Sequence, residues 1–458
     1  MKQKLKKELT LFTATLYGIG IILGAGIYVL IGQGAEVAGN AIWLSFVIAA
    51  LIASFTGLSY AELAGMFPKT AAEYVYTKHA FNKNYISFIV QWIMIFTLIV
   101  SASTVAMGFG GYFSFLFGIE PAIAAAGLII ALSAINYTGI KESASFNVFS
   151  TLVEMSGLLI VIVLGLFFIG RVEIDYFSSP LGLQGILSAT AIIFFAYIGF
   201  EELVNLSEET KKARSIIPKA LVLSLGVSTL LYILVSLSSV SIIGSEALAK
   251  SKAPMTDVIS SVIPQASIIM SLIALFATAN TVLIMLIVAS RIFYGLSRNN
   301  TFPSVLGRLG KRKTPYVSVF IVMLLSIGCL LIGGIKTIAM LTDAGLFIVY
   351  IFVNASLIWL RYKKPTAKRT FKSPINIGKF PVLAMLGIVS SGIMLLQFEA
   401  TLLLYEVIVA VIGLVFYKAF TNASKIRERF RKSIFTSRHA DIVRTFRRSG
   451  RSKKLVCI

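Results

Sequence analysis

Histidine, cysteine and acidic side chains are scarce in this 458-residue chain, which carries two His, two Cys and 20 Asp plus Glu against 42 Lys plus Arg. His79 and His439 alone cannot build a histidine-based metal site or a hydrolytic constellation. Cys329 falls within an apolar stretch and Cys457 is the penultimate residue, so neither a thiolate metal cluster nor a disulfide framework is available. No Walker or Rossmann glycine pattern occurs either, which argues against an ATP-driven pump and a membrane enzyme. No catalytic residue, resident metal or cofactor is expected. What is present is apolar: 57% of residues are hydrophobic, 14% are charged, and the mean hydropathy is +0.87. That profile belongs to an all-α integral membrane protein.

Apolar runs long enough to cross about 30 Å of hydrocarbon predict twelve transmembrane helices. They lie near residues 11–33, 41–66, 85–115, 121–138, 146–170, 186–206, 217–243, 266–297, 315–334, 337–360, 380–397 and 400–420. The basic start Lys2, Lys4, Lys6 and Lys7 leads into a full-length apolar stretch without a small-residue cleavage pattern, so the first span is expected to stay as its own insertion signal.

A formal charge of +22 raises the question of nucleic acid, and the positions of the basic residues answer it. Lys211, Lys212 and Arg214, then Arg308, Lys311, Arg312 and Lys313, then Arg361, Lys363, Lys364, Lys368, Arg369 and Lys372 fall in loops on the side of the N-terminus. The opposite loops hold Arg171, Lys250, Lys252 and Lys336. This is the positive-inside pattern: it puts both termini in the cytoplasm of a multi-pass cell-membrane protein and leaves no call for a nucleic-acid partner.

Two glycine-broken segments occupy matching places in the two halves: Ile22-Leu23-Gly24-Ala25-Gly26-Ile27 in span 1 and Phe195-Ala196-Tyr197-Ile198-Gly199-Phe200 in span 6. Backbone that stops being helical inside a bilayer loses its hydrogen bonds without gaining water, so such breaks persist where the freed groups hold a ligand. One break in each half is the pattern of an inverted repeat gripping its substrate at the midplane between two discontinuous helices. After Gly24, the amides of Ala25, Gly26 and Ile27 stand at a positive dipole end that suits a carboxylate. Carbonyls of Ile21 and Ile22, with those near Phe195, Ala196 and Ile198, can accept from an ammonium group. Glycine at Gly24, Gly26 and Gly199 allows close approach, because a Cβ would block the turn and the contact. Read as packing alone, Gly24 and Gly26 would be a small-residue helix seam. Phe194, Phe195 and Tyr197 are candidates for a gate and side-chain pocket, since aromatic faces close over a ligand and exclude water. Their alternative is packing against lipid or other helices.

Gly18-Ile19-Gly20-Ile21-Ile22-Leu23-Gly24-Ala25-Gly26-Ile27-Tyr28 resembles the first span of the amino acid, polyamine and organocation transporters. The resemblance continues in Ser59-Tyr60-Ala61-Glu62-Leu63 through Phe67-Pro68, in Glu73-Tyr74-Val75-Tyr76, in Asn136-Tyr137-Thr138-Gly139-Ile140-Lys141, in Phe194 to Glu201, and in Glu208-Glu209 followed by Ile217-Pro218. It departs from the family at Ala71-Ala72, where many members have Gly-Gly, and at Lys212-Ala213, where many have Asn-Pro. The resemblance implies amino acid transport and a five-plus-five inverted repeat of the leucine-transporter type, with spans 11 and 12 peripheral. It also matches Phe195 to the aromatic gate of family antiporters.

Carboxyls inside spans are costly unless paired, hydrated or protonated, so Glu154, Glu201 and Asp343 stand out. Glu154 lies mid-span where, by the same resemblance, some proton-coupled relatives carry a lysine in place of a sodium ion. A desolvated carboxyl holds its proton more tightly and could bind and release one as access alternates. Thr278 and Asn280 on span 8 fall near the same family position and could hydrogen-bond it. The bland alternative is a neutral carboxyl held by a hydroxyl neighbour. The resemblance gives Glu201 a role in coupling and pH response, while Glu202, offset by about 100° around the helix, is expected to face elsewhere. Asp343 reads equally as a gate residue or a vestibule residue, and Arg291 is expected to snorkel or pair near the cytoplasmic face; neither is assigned to the site. One proton moving inward across about 100 mV yields about 2.3 kcal/mol, so a single carboxyl suffices for uphill uptake. A sodium alternative would use carbonyls of span 1 and hydroxyls of Thr278 and Thr281.

Residues 421–458 carry Ile426, Phe430 and Ile434 at four-residue spacing, then Ile442 and Phe446, among many Lys and Arg. This suits either a basic amphipathic segment on anionic lipid or a solvated tail. The expected organisation is a cytoplasmic N-terminus at 1–10, a first repeat at 11–170, a second at 186–361, two further spans at 380–420 and the tail at 421–458. The expected function is import of amino acids by alternating access through proton-coupled symport, with amino acid, proton or sodium, and membrane lipid as partners. An amino acid or polyamine exchanger is the alternative within transport. A non-transporting sensor or scaffold acting through the tail is the alternative from another class.

Overall fold

A computed structural model of the chain describes residues 7–170, 173–251, 253–299, 301–331 and 335–420, and the basic tail lies outside the described residues. The fold is a bundle of α-helices: α1 (Leu11–Ala38), α2 (Ile42–Met66), α3 (Ala72–Phe81), α4 (Asn84–Phe117), α5 (Pro121–Thr138), α6 (Ile140–Leu166), α7 (Gly182–Ile193), α8 (Phe200–Asn205), α9 (Ala213–Lys250), α10 (Pro254–Ser260), α11 (Ser267–Arg298), α12 (Tyr316–Cys329), α13 (Ile335–Lys363), α14 (Val382–Leu395) and α15 (Ala400–Phe420). A two-stranded hairpin, Asn376–Ile377 against Phe380–Pro381, precedes α14. Among the described residues nine helical runs are long and apolar enough to cross a membrane; the first, Leu11–Met66, contains both α1 and α2, while α12 and α14 are apolar but shorter.

Local chemistry explains where the helices begin and end. The Thr10 hydroxyl accepts from the Thr13 amide while the Thr13 hydroxyl accepts from the Thr10 amide, a reciprocal cap at the start of α1. Pro121 opens α5 behind Glu120, whose carboxylate accepts from the Ile123 amide at 3.2 Å. The ends of several spans differ from the sequence expectation: α1 runs on to Ala38, α9 covers Ala213–Lys250, and α12 stops at Cys329. At its start α9 passes into polar sequence such as Arg214, which hydropathy cannot assign to a helix, and near its end it kinks at Gly244 (φ +75°), so that the turn holding Glu246 is a separate short piece.

Burial separates centre from rim. The apolar core of the Pro264–Arg298 run is 89% buried, against 28% for α5 and 22% for α15, so α11 is the central post and α5 and α15 face outward. Their outer faces carry Ile123 and Ile130 on α5 and Val407, Val411 and Val415 on α15, exposed apolar side chains that belong in lipid.

Helix α3 is an element that span reading did not anticipate. It is ten residues long and bounded by left-handed Ala71 and Asn82, with Glu73 in its first turn and Lys78 and His79 in its last, the charge order a helix dipole favours. Beside it the chain start is pinned by backbone: the amides of Glu8 and Leu9 donate to the Glu209 carbonyl at 2.9 and 3.1 Å, the Lys211 amide donates to the Leu9 carbonyl at 2.9 Å, and Leu9 pairs with Thr210 in parallel.

Candidate substrate site

The break in α1 is confined to Gly24 (φ −20°, ψ −134°). The break between α7 and α8 is longer: a tight 3₁₀ turn over Phe194–Tyr197, an extended Ile198, then Gly199 at φ +125°. That last conformation needs glycine. The two breaks interlock. A Cβ on Gly26 would overlap Ala196 and come within 2.9 Å of its amide nitrogen, and one on Gly199 would overlap Ile21. A Cβ on Gly24 would strike Thr281 on α11, whose Cβ lies 2.9 Å from that point. The seam and the break are therefore one feature: Gly24 and Gly26 pack closely, and Gly24 also leaves the helix.

Carbonyls freed by the two breaks converge. The Tyr232 hydroxyl, on α9, donates to the Ala196 carbonyl at 2.8 Å and to the Ile22 carbonyl. One phenolic proton thus faces two acceptors from different halves of the chain. The Phe195 carbonyl is used locally, accepting from the Ile198 amide at 3.2 Å. Ile21, Ile22, Ile27, Phe195, Ala196 and Ile198 are buried around this point, giving it apolar walls. Sequence reasoning missed Tyr232; its only signal was a single tyrosine among the aliphatic and hydroxyl side chains of α9.

The aromatic residues take distinct places. Phe194 packs against Phe347 on α13, with ring centres 4.6 Å apart and planes tilted by 44°. The Tyr197 hydroxyl donates to the Phe46 carbonyl on α2 at 3.0 Å and its ring meets Tyr232 edge-on at 5.2 Å, so this side chain is anchored beside α2.

The carboxyls differ in their surroundings. Glu154 on α6 is fully buried and neither oxygen is hydrogen-bonded; its own backbone carbonyl accepts from the Tyr28 hydroxyl at 3.0 Å. Asn280 approaches it, but its amide group is engaged with Asn147 (2.9 Å) and Thr151 (3.5 Å). The Thr278 hydroxyl donates back to the Ala274 and Leu275 carbonyls, as hydroxyls within helices commonly do, so it does not hold Glu154. Glu201 accepts from the Gly199 amide at 3.2 and 3.1 Å and from the Tyr350 hydroxyl at 3.0 Å. Glu202 does not turn away to a polar surface: the six-residue α8 is enclosed on all sides and Glu202 is fully buried. Asp343 is buried too, next to the backbone of Phe195, with neither oxygen hydrogen-bonded.

Of the two expectations for Arg291, pairing holds and snorkelling does not. The side chain is buried on α11, donating to Asn136 at 2.8 Å and lying 3.7 Å from Glu209, because Glu209 is folded into the bundle end with it. Burial raises the Glu209 carboxyl and the Arg291 charge partly offsets this. A second buried charge network joins α2 to α13: Glu62 accepts from Arg361 at 2.7 and 2.6 Å, from Arg369 at 2.8 Å and from the Ser373 amide at 2.8 Å. Between these networks a cavity of about 820 Å³ opens, lined by Lys7, Pro68, Thr70, Ser207, Tyr294 and Asn299 among others. His79 at its edge stacks 4.3 Å from Phe67, and burial together with the charges of Lys364 and Lys78 lowers the imidazole below its usual value.

Residues 9–417 match the amino acid permease family. The chain belongs to that family. Branched-chain amino acid permease BcaP of Bacillus subtilis (strain 168) is 31% identical over 444 residues, spanning 92% of this chain and 94% of the relative. The methylthioribose transporter of the same organism is 29% identical over 419 residues, or 86% and 88% of the two chains. Cationic amino acid transporter 4 of Mus musculus is 27% identical over 403 residues, 82% of this chain and 63% of the relative. These relatives are transporters rather than enzymes, and the amino acid permease described here is an integral membrane protein of the amino acid, polyamine and organocation superfamily.

Proposed function

We propose that this permease imports neutral aliphatic amino acids into the cell by alternating access, coupled to protons. Twelve spans form it, the first ten as a five-plus-five inverted repeat (residues 11–170 and 186–361) with the spans at 380–420 outside, in the cell membrane with both termini cytoplasmic. The substrate carboxylate sits at the amides of Ala25, Gly26 and Ile27, and its ammonium group takes the carbonyls of Ile22 and Ala196, with those of Ile21, Phe195 and Ile198 nearby. Phe195 closes over the side chain and Tyr197 backs the gate. Glu154 carries the proton, with Asn280 and Thr278 on the neighbouring α11, and Glu201 senses it.

The observation that carries this reading is the convergence of the Ile22 and Ala196 carbonyls on a single hydroxyl between the two breaks. Two acceptors aimed at one point are what a primary ammonium needs, and Tyr232 stands in for it when the site is closed. Apolar walls of isoleucine, alanine and phenylalanine favour an aliphatic side chain, in keeping with the relative named for branched-chain amino acids.

The test is uptake of radiolabelled leucine into proteoliposomes under an inward proton gradient, with and without sodium, for wild type and Glu154→Gln. Concentrative uptake without sodium that Glu154→Gln loses supports the reading. Uptake that needs internal amino acid and ignores the gradient would make the protein an exchanger and Glu154 structural.

A further inference from the structure

Three fully buried carboxyls meet just past the α8 break: Glu201 and Glu202 on α8 and Glu73 on α3. Among the described residues none of the three is paired with Lys, Arg or His. Glu73 accepts from the Gln91 side chain at 3.1 Å and from the Asn205 side chain at 3.4 Å. The same two amides hold the start of α3, since the Ala72 amide donates to Asn205 at 2.9 Å and the Tyr74 amide donates to Gln91 at 2.8 Å. Helix α3 is thus hung from α8 and α4 through a network centred on Glu73.

Glu202 stands against this network with neither oxygen hydrogen-bonded, facing both Glu201 and Glu73. Two further polar groups point into the same dry space without partners: the hydroxyls of Tyr60 on α2 and Tyr76 on α3. Tyr60 and Tyr76 face Glu73, whereas the hydroxyl of Tyr17 on α1 faces Glu209 and Arg291 before Glu202. From α13, Tyr350 is engaged with Glu201; from α11, Arg291 is engaged with Glu209 and Asn136; from α9, Tyr232 faces the break instead. Adjacent carboxylates without a counter-ion in a water-poor site cannot both be ionised. The unpartnered hydroxyls are donors in waiting for a carboxylate.

We infer that Glu202 and Glu73 form a shared proton-binding site whose deprotonation frees α3 from α8 and opens the substrate path toward the adjoining cavity. The inference rests on the proton-coupled reading and adds a release point to it. With the proton on, one of Glu202 and Glu73 is neutral and the α3 network closes, while Glu201 keeps its own donors in the Gly199 amide and the Tyr350 hydroxyl. When the proton leaves for water in the cavity, two negative charges face each other and the tyrosine hydroxyls turn to them. Burial raises the Glu73 carboxyl. A carboxyl raised in the closed form stabilises that form at low pH and ceases to do so as pH rises through its folded value, so alkaline pH favours opening.

Proteoliposomes holding the full chain test this with leucine, comparing gradient-driven accumulation with counterflow at equal pH for wild type, Glu202→Gln and Glu73→Gln. The expected result is that accumulation collapses relative to counterflow in Glu202→Gln and that the pH profile of counterflow flattens. Accumulation retained in Glu202→Gln overturns the inference, as does an equal fall of both activities, which marks a structural role. Failure of the wild type to accumulate leucine overturns the coupling reading itself and the inference with it. A second readout does not depend on the Glu202 variant folding. In a background lacking Cys329 and Cys457, labelling of Thr77→Cys on the buried face of α3, divided by labelling of exposed Lys83→Cys, should rise with pH. A flat ratio overturns the inference.

Discussion

The Tyr232 hydroxyl donates to the Ala196 carbonyl at 2.8 Å while also meeting the Ile22 carbonyl, so one side chain from α9 closes both helix breaks at once. Removing it with Tyr232→Phe leaves two buried acceptors without a donor in the empty site, at a cost of about 1–3 kcal/mol. The empty protein should melt lower than wild type, and substrate should restore most of the difference because its ammonium group fills the same place. Leucine should also bind more tightly, by up to about tenfold for each 1.4 kcal/mol of strain relieved. Thermal unfolding with and without leucine in detergent checks both expectations.

Gly26→Ala should abolish transport, because the added methyl overlaps Ala196 and the two broken segments can no longer nest. Ala196→Gly in the same chain should recover part of the activity, since it removes the side-chain half of the overlap. Gly199→Ala should be worse and not rescued by trimming Ile21, because φ +125° remains unfavourable for any residue with a Cβ. Leucine uptake normalised to protein in the membrane measures all three.

What the sequence made legible and what it did not follow from the range of each interaction. The breaks could be read because glycines fall at matching places in the two halves, and because the cost of a free peptide group in lipid is local. The apolar spans could be read for the same reason. Tyr232 and the burial of Glu202 could not, since the acceptors of Tyr232 lie on other elements and burial of the short α8 depends on α1, α2, α9 and α11 closing around it; for Arg291 pairing could be read, but not that its partner is Glu209. Helix α3 escaped because its stability comes from Asn205 and Gln91 side chains rather than from its own hydropathy.

Arg291→Met should destabilise the protein by about 3–5 kcal/mol by leaving Glu209 buried without its cation. Adding Glu209→Gln should recover much of the loss. The single variant should be the more pH-sensitive of the two: without the opposing guanidinium, burial raises the Glu209 carboxyl further. A raised carboxyl contributes stability below its unfolded value that is lost as pH rises through the folded one. Melting temperatures at acid and alkaline pH for wild type, single and double variants separate these outcomes.

Glu62→Gln should loosen the join between α2, α13 and the segment that follows it, because two guanidinium groups and the Ser373 amide all rest on that one carboxylate. Arg361→Met should cost more than Arg369→Met, since Arg361 holds both carboxylate oxygens and is the more deeply buried of the two. Melting temperatures of the three variants give the order.

The short parallel pairing of Leu9 with Thr210 means that the start of α1 and the exit from α8 share a splint made of peptide groups. Two segments about 200 residues apart in sequence are thereby joined without any side chain taking part. Side-chain substitutions cannot dissolve such a splint, because main-chain amides survive every point mutation except proline. The two ends are tied by the main chain itself, whatever side chains stand at positions 8, 9 and 211.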